Sequence, residues 1–296
     1  MPMTCISVIV PCYNTAPFLS QCLDSLLSQD FDKSYNIILI DCKSDSGEEE
    51  IGKKYEKENP GKVFYYRYEK NSGPSLSRNL GILHSSGEFL TFIDGDDYVS
   101  KDYLSTLYSR ERKTGADVIT GGYYLDLGKK TVKGYSRTSF TGNGKKALKK
   151  LRRSPLRKRR TFCWGRLYKK SLLVSCGILF DQTQRKYEDT LFFFQVRLNS
   201  AKVCYLKKPI YYYRRHKSSL RNREGNNIRE HLVAFKKAKE YTKLHAPERT
   251  KKLFGKLWLA RKLQFSYDFN SSIEAKDKKA KKEIKRREKK IFSVEK

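Results

Sequence analysis

A mostly parallel, doubly wound α/β sheet is the fold this sequence predicts, and three observations carry it. Short apolar runs rich in β-branched and aromatic residues alternate with segments of helical spacing over residues 1–120. Several of these runs end in acid-bearing polar turns, the strand ends where open parallel sheets bind ligands. One run, Glu88-Phe89-Leu90-Thr91-Phe92-Ile93, stops abruptly in Asp94-Gly95-Asp96-Asp97, three carboxylates around a glycine.

Taken in order, residues 5–10 form the first strand, and Pro11-Cys12-Tyr13-Asn14 stops it. Phe18-Leu19, Cys22-Leu23 and Leu26-Leu27 then recur at helical spacing. Residues 37–40 form a second buried strand that ends at Asp41, ahead of the polar turn 42–47. A charged helix follows over 48–58, and residues 63–68 are the third strand. Asn71-Ser72-Gly73-Pro74 turns into a helix over 75–84, and the central strand leads to a helix over 101–112 and a strand over 117–120. Glycines at 121, 122, 128 and 134 and the turn Thr141-Gly142-Asn143-Gly144 predict loops or hairpins. The run 145–160 is densely basic and broken by Pro155. Residues 203–206 and 210–213 read as two short strands, and the chain from 226 onward reads as basic helix.

Composition narrows the class. Apolar residues make up 38% of 296 residues, with 20 Tyr and 16 Phe, enough for a sizeable core. No apolar stretch reaches the ~20 residues a membrane span needs, and the start shows no secretory pattern. Seven Cys without regular pairing fit reduced thiols and a cytoplasmic setting. No Cys-x-x-Cys pair occurs and only four His are present, which argues against a zinc site. Net charge is +31, unevenly spread: residues 1–100 hold 9 Lys/Arg against 15 Asp/Glu, the rest 54 against 17. The second part therefore meets an anionic partner, for which nucleic acid, an acidic membrane face and a phosphorylated substrate all qualify. No nucleic-acid-binding motif is present, and the acid cluster would repel a backbone, so no specific nucleic acid is expected.

Three acids within four residues raise the cost of ionising all of them. A hard divalent cation such as Mg²⁺ or Mn²⁺ relieves that repulsion with one or two carboxylates plus phosphate oxygens. The competing reading is a solvated acidic turn, with Asp97 capping the helix that follows.

Ser7-Val8-Ile9-Val10-Pro11-Cys12-Tyr13-Asn14, the stretch from Asn71 to Gly81, and Asp94-Gly95-Asp96-Asp97 together resemble the inverting family 2 glycosyltransferases of bacterial surface-polysaccharide type. The resemblance implies a GT-A-type, Rossmann-like α/β fold with helices on both faces, to which composition adds a helical C-terminal extension. It divides residues 1–220 into a nucleotide-sugar half (1–120) and an acceptor-side half (121–220) and stops there; the basic helical region (221–296) is read on composition alone. The resemblance also implies a nucleotide-sugar donor of the UDP-sugar type, with Mn²⁺ or Mg²⁺, and a glycan or lipid-linked glycan acceptor. Pro11 and Tyr13 then line the nucleotide pocket, with Tyr13 stacking on a base. Asp41 is the first acid of a turn that usually carries two, and Cys42 stands at the second, where the base is often read. Arg78 falls near the donor diphosphate, and its guanidinium suits two-pronged phosphate contact. Asp94 and Asp96 are the Asp-x-Asp pair, with Asp96 or Asp97 on the metal.

In the second half, Cys163-Trp164-Gly165-Arg166-Leu167-Tyr168 and Tyr187-Glu188-Asp189-Thr190 resemble the acceptor side of the same family. That implies Trp164 and Glu188 as acceptor contacts and Asp189 as the general base that takes the acceptor proton. Helix-start carboxylates favoured by the macrodipole are the plainer alternative. Arg214, His216 and Ser219 match a basic segment near the diphosphate, where positive charge steadies the leaving group. The basic stretches add an expected peripheral association with anionic lipid on the inner membrane face. A non-catalytic binding or scaffold protein of the same fold is the alternative reading.

Overall fold

A computed structural model describes residues 4–70, 73–135, 139–143, 161–184, 186–216 and 228–245. The basic run 145–160, Ser219 and the tail 271–296 lie outside the described residues.

Strand β1 (Ile6–Cys12) runs parallel between β2 (Tyr35–Cys42) and β4 (Phe89–Phe92), and β3 (Val63–Tyr68) pairs parallel with β2. The helices between them are α1 (Ala16–Leu27), α2 (Glu48–Glu58) and α3 (Pro74–His84). After β4 come β5 (Tyr98–Val99), α4 (Tyr103–Thr114), and a hairpin of β6 (Val118–Asp126) with β7 (Thr131–Tyr135). Then follow β8 (Phe140–Gly142), β9 (Arg166–Lys169), α5 (Lys170–Ser175), α6 (Glu188–Asn199), β10 (Val203–Arg214) and α7 (Ile228–His245). Among the described residues, one sheet holds ten strands in the order β3-β2-β1-β4-β9-β6-β10-β5, with β7 on β6 and β8 on β10.

The parallel half matches the sequence expectation, while the sheet as a whole is mixed. β9 enters antiparallel to both β4 and β6, and β5 and β8 are antiparallel to β10. The two strands expected over 203–213 are one strand whose register against β6 shifts around Pro209. Proline has no N–H for the ladder, so pairing is interrupted there without ending the strand.

The period-two alternation of β1 distributes the core. Ile6, Val8, Val10 and Cys12 face α1 and α4, packing with Leu19, Leu23, Tyr103 and Leu107, while Ile9 faces the other side with Ile82, Phe92 and Phe192. Each fully buried side chain of this kind contributes roughly 1.5–3 kcal/mol relative to exposure. Helix α3 lies so close to β1 that a Cβ at Gly81 would sit 2.2 Å from Ile9 Cγ2. That close approach sets the height of α3, and therefore of Arg78, above the sheet. No helix among the described residues is long and apolar enough to cross a membrane.

Candidate active site

The carboxyl ends of β1 and β4 meet at the acid cluster. Gly95 donates its N–H to Pro11 O (3.2 Å), and a Cβ there would meet Thr15 Oγ1 at 3.0 Å and Cys12 Cβ at 3.2 Å. Only a residue without a side chain lets the turn press so closely on the β1–α1 loop. Oxygens of Asp94, Asp96 and Asp97 lie within 4.8 Å of one another. Asp97 is sealed: Tyr211 OH donates to its Oδ2 (2.5 Å) and the Arg214 backbone N–H to its Oδ1 (2.8 Å). Burial first, then the charges of Asp96 and Asp94, push the Asp97 carboxyl well above the usual carboxylate range. Asp94 is raised by burial and by Asp96, with Arg78 opposing. Asp96 keeps a partly exposed side chain, and its Oδ2 lies 2.9 Å from His216 Nε2, whose ring leans on Phe18.

Arg78 joins this cluster to the second half of the chain. One terminal nitrogen donates to Asp94 Oδ1 (2.9 Å) and the other to Glu188 Oε1 (2.6 Å), with the guanidinium over the Phe180 ring. Only 5% of Arg78 is exposed, so both prongs are already committed to protein carboxylates. Beside Glu188, at the start of α6, stands Asp189. Its Oδ1 is buried without a hydrogen-bond partner, and the fully buried Cys163 thiol lies beside its carboxyl. Burial first, then the Glu188 charge, push Asp189 up to about 7, against the pull of Arg78 and Cys163. An ionisable oxygen aimed at no protein partner, on a carboxyl poised near neutrality, suits proton transfer.

Other expected residues stand elsewhere. Tyr13 is 39% exposed on the β1–α1 loop, its ring open to a ligand. Asp41 is not brought to the acid cluster: its oxygens take the Ser44 N–H, Tyr65 OH and Arg67 NH1 (2.6 Å), and it is fully buried. Cys42 turns to the opposite face, where Ser77 Oγ donates to its sulfur (3.0 Å). Trp164 is buried in a ring stack, 4.4 Å from Phe162 and 4.3 Å from Tyr211. It thereby buttresses the tyrosine that holds Asp97. Arg214 lies over Phe18 and Tyr98, with its NH2 on Gln21.

Sequence reasoning missed Tyr211, Cys163 and Glu48. Glu48 accepts the Thr15 and Ala16 N–H groups and so caps α1 from the next helix. Tyr211 is one of three consecutive tyrosines, and alternation along β10 was the only signal that could single it out. Among the described residues, Asn14, Lys43 and Tyr187 alone combine a side chain with positive φ, and all three lie in loops following β1, following β2 or opening α6.

A mixed α/β sheet with an acid cluster at its parallel strand ends, linked through an arginine to a helix-start acid pair, defines a GT-A-type protein. Residues 7–175 match glycosyl transferase family 2, more than half of the chain, and the chain belongs to that family. It is 33% identical over 222 residues to "Glycosyltransferase GlyA" of Streptococcus pneumoniae serotype 4, covering 73% of this chain and 31% of that protein. The chain thus spans about a third of that relative's length. The Staphylococcus aureus TarS 1-349 crystal structure in complex with UDP-GlcNAc superposes with a TM-score of 0.77 at 23% identity, over 92% of this chain and 76% of that one. The mannosyltransferase PcManGT from Pyrobaculum calidifontis, in complex with GDP-Man and Mn²⁺, superposes at 0.62 with 14% identity, over 93% and 76%.

Proposed function

We propose that this chain is a metal-dependent, inverting glycosyltransferase of hexosyltransferase type, moving a sugar from a UDP-sugar to a glycan hydroxyl. The observation that carries this reading is the Asp94–Arg78–Glu188 chain, which sets the unpartnered Asp189 oxygen beside the acid cluster. The likeness to TarS, solved with UDP-GlcNAc, supports the donor class. Tyr13 stacks on the base. With Asp41 spent on Arg67 and Cys42 turned under α3, base recognition rests on other groups of the β1–α1 and β2–α2 loops.

The residues fit a divalent cation. Three carboxylates within 4.8 Å, two of them raised by burial first and then by mutual repulsion, are a donor set that positive charge relieves. Asp96 and the neighbouring His216 would hold Mn²⁺ or Mg²⁺, with Asp97 as a further carboxylate that could join them. When bound, the ion supplies positive charge to the diphosphate. Asp189 Oδ1 takes the acceptor hydroxyl's proton as that oxygen attacks the anomeric carbon. The new C–O bond forms as the bond to the diphosphate breaks, and the diphosphate departs with the electron pair, inverting the centre. Arg78, anchored between Asp94 and Glu188, fixes the spacing between donor acids and base.

Incubation with a panel of nucleotide sugars, with and without Mn²⁺, tests this directly. Metal-dependent release of UDP from one UDP-sugar is expected; no release from any donor with Mn²⁺, or with Mg²⁺ in its place, would sink the proposal. The acceptor is read as a surface-glycan hydroxyl, lipid-linked at the inner membrane face, with the basic tail on anionic headgroups. Deleting residues 271–296 is expected to weaken binding to phosphatidylglycerol vesicles at moderate salt while UDP release persists. Equal vesicle binding by the shortened chain rejects the tail's role.

A further inference from the structure

We infer that Lys237 of α7, clasping Asp181, is a positioning residue for the Glu188–Asp189 pair. The inference rests on the reading of Asp189 as the base. Helix α6 begins at a strained point: Tyr187 has φ 62°, a left-handed conformation that bulky residues rarely adopt. Such a turn persists only where its surroundings over-determine it. The segment leading into it is tied from two sides.

From α3, the Asn79 side chain brackets Phe180, donating to its carbonyl (2.9 Å) and accepting its N–H (2.9 Å), and Ser75 Oγ donates to Asp181 O (3.0 Å). These anchors sit on the helix that carries Arg78. From α7, Lys237 Nζ donates to Asp181 Oδ2 (2.6 Å) and Thr183 Oγ1 (2.6 Å). Asp181 Oδ1 in turn accepts the Thr183 N–H and hydroxyl, closing a compact knot. Buried Gln184 donates to Lys186 O (2.7 Å) and to Glu230 O on α7 (3.2 Å), so the same strut continues toward Tyr187. Burial alone would raise the Asp181 carboxyl, but its bonds to Lys237 and Thr183 hold it below the usual range.

Helix α7 is itself fixed to the body of α6. Phe235 packs edge-on against Phe194, and Asn199 Nδ2 donates to Tyr241 OH (2.9 Å). Lys237 therefore acts from a rigid neighbour on the loop that aims the base. The family match ends at residue 175, so both α6 and this clasp lie beyond it. Small displacements of a reacting group are costly in rate even when the group itself is intact. A clasp that orients Asp189 without touching donor should therefore move turnover and leave donor binding alone.

The test compares Lys237→Ala, Lys237→Arg, and the charge-swapped pair Asp181→Lys with Lys237→Asp, in the full chain. Lys237→Ala is expected to lower kcat roughly 10–100-fold with UDP affinity in Mn²⁺ unchanged. Lys237→Arg restores most of the rate, and the swapped pair exceeds either of its single changes. Wild-type kcat in Lys237→Ala, alongside a dead Asp189→Asn, overturns the clasp. So does a loss of turnover matched by an equal loss of UDP binding, which marks general unfolding. If Asp189→Asn retains full transfer, the reading of the base fails instead, whatever Lys237 does.

Discussion

Asp189→Asn is expected to lower sugar transfer by about 10²-fold or more while donor affinity stays nearly constant. The amide keeps the size and the Cys163 contact of the carboxyl but cannot take a proton. The donor-side groups, Asp94, Asp96 and His216, are untouched by the change. The pH profile gives a second reading of the same residue. A base works in its ionised form, and Asp189 is pushed up to about 7 by burial first and by the Glu188 charge second. Turnover should therefore climb as pH rises through that value and level off above it. The Asn variant should lose this limb along with the rate. Unchanged turnover, or a limb that survives the substitution, removes Asp189 from the mechanism.

What was legible in the sequence follows from how local each signal is. β1, β2 and β4 announce themselves because parallel central strands are apolar on both faces, and α2 because its charged span has clear ends. The acid turn was equally plain, since Asp94, Asp96 and Asp97 fall within four residues. β9 was not legible: Arg166–Lys169 is four residues long, and its antiparallel place between β4 and β6 is decided by distant partners. The same holds for Asp41. Nothing near it in the chain says that Arg67 and Tyr65, across one strand pairing, take up its charge. Trp164 was read as an acceptor contact because its neighbours matched an acceptor segment; its burial depends on Tyr211, 47 residues on, which stacks flat against it. Arg78 was expected on a diphosphate, whereas the structure commits its two prongs to Asp94 and Glu188. Pairings of this kind cross the sheet and leave no spacing in the sequence.

Asp96→Ala is expected to abolish metal-stimulated donor binding. Changing groups that merely orient metal ligands already costs about 10–100-fold in affinity, so loss of a carboxylate ligand should reach at least ~10²-fold. Asp96 is the acid placed for this: Asp97 has both oxygens engaged by Tyr211 and Arg214, and Asp94 answers Arg78. Loss of fold would not explain the result. The Asp96 charge helps push both Asp94 and Asp97 above their ordinary range, so deleting it relieves repulsion in the metal-free protein. Its melting temperature without metal should accordingly hold or rise, while the wild-type gain on adding Mn²⁺ and UDP disappears. Calorimetry of UDP binding with and without Mn²⁺ decides the matter. If Asp96→Ala binds UDP in Mn²⁺ as tightly as the wild type, the cation is held elsewhere and the assignment of this cluster falls.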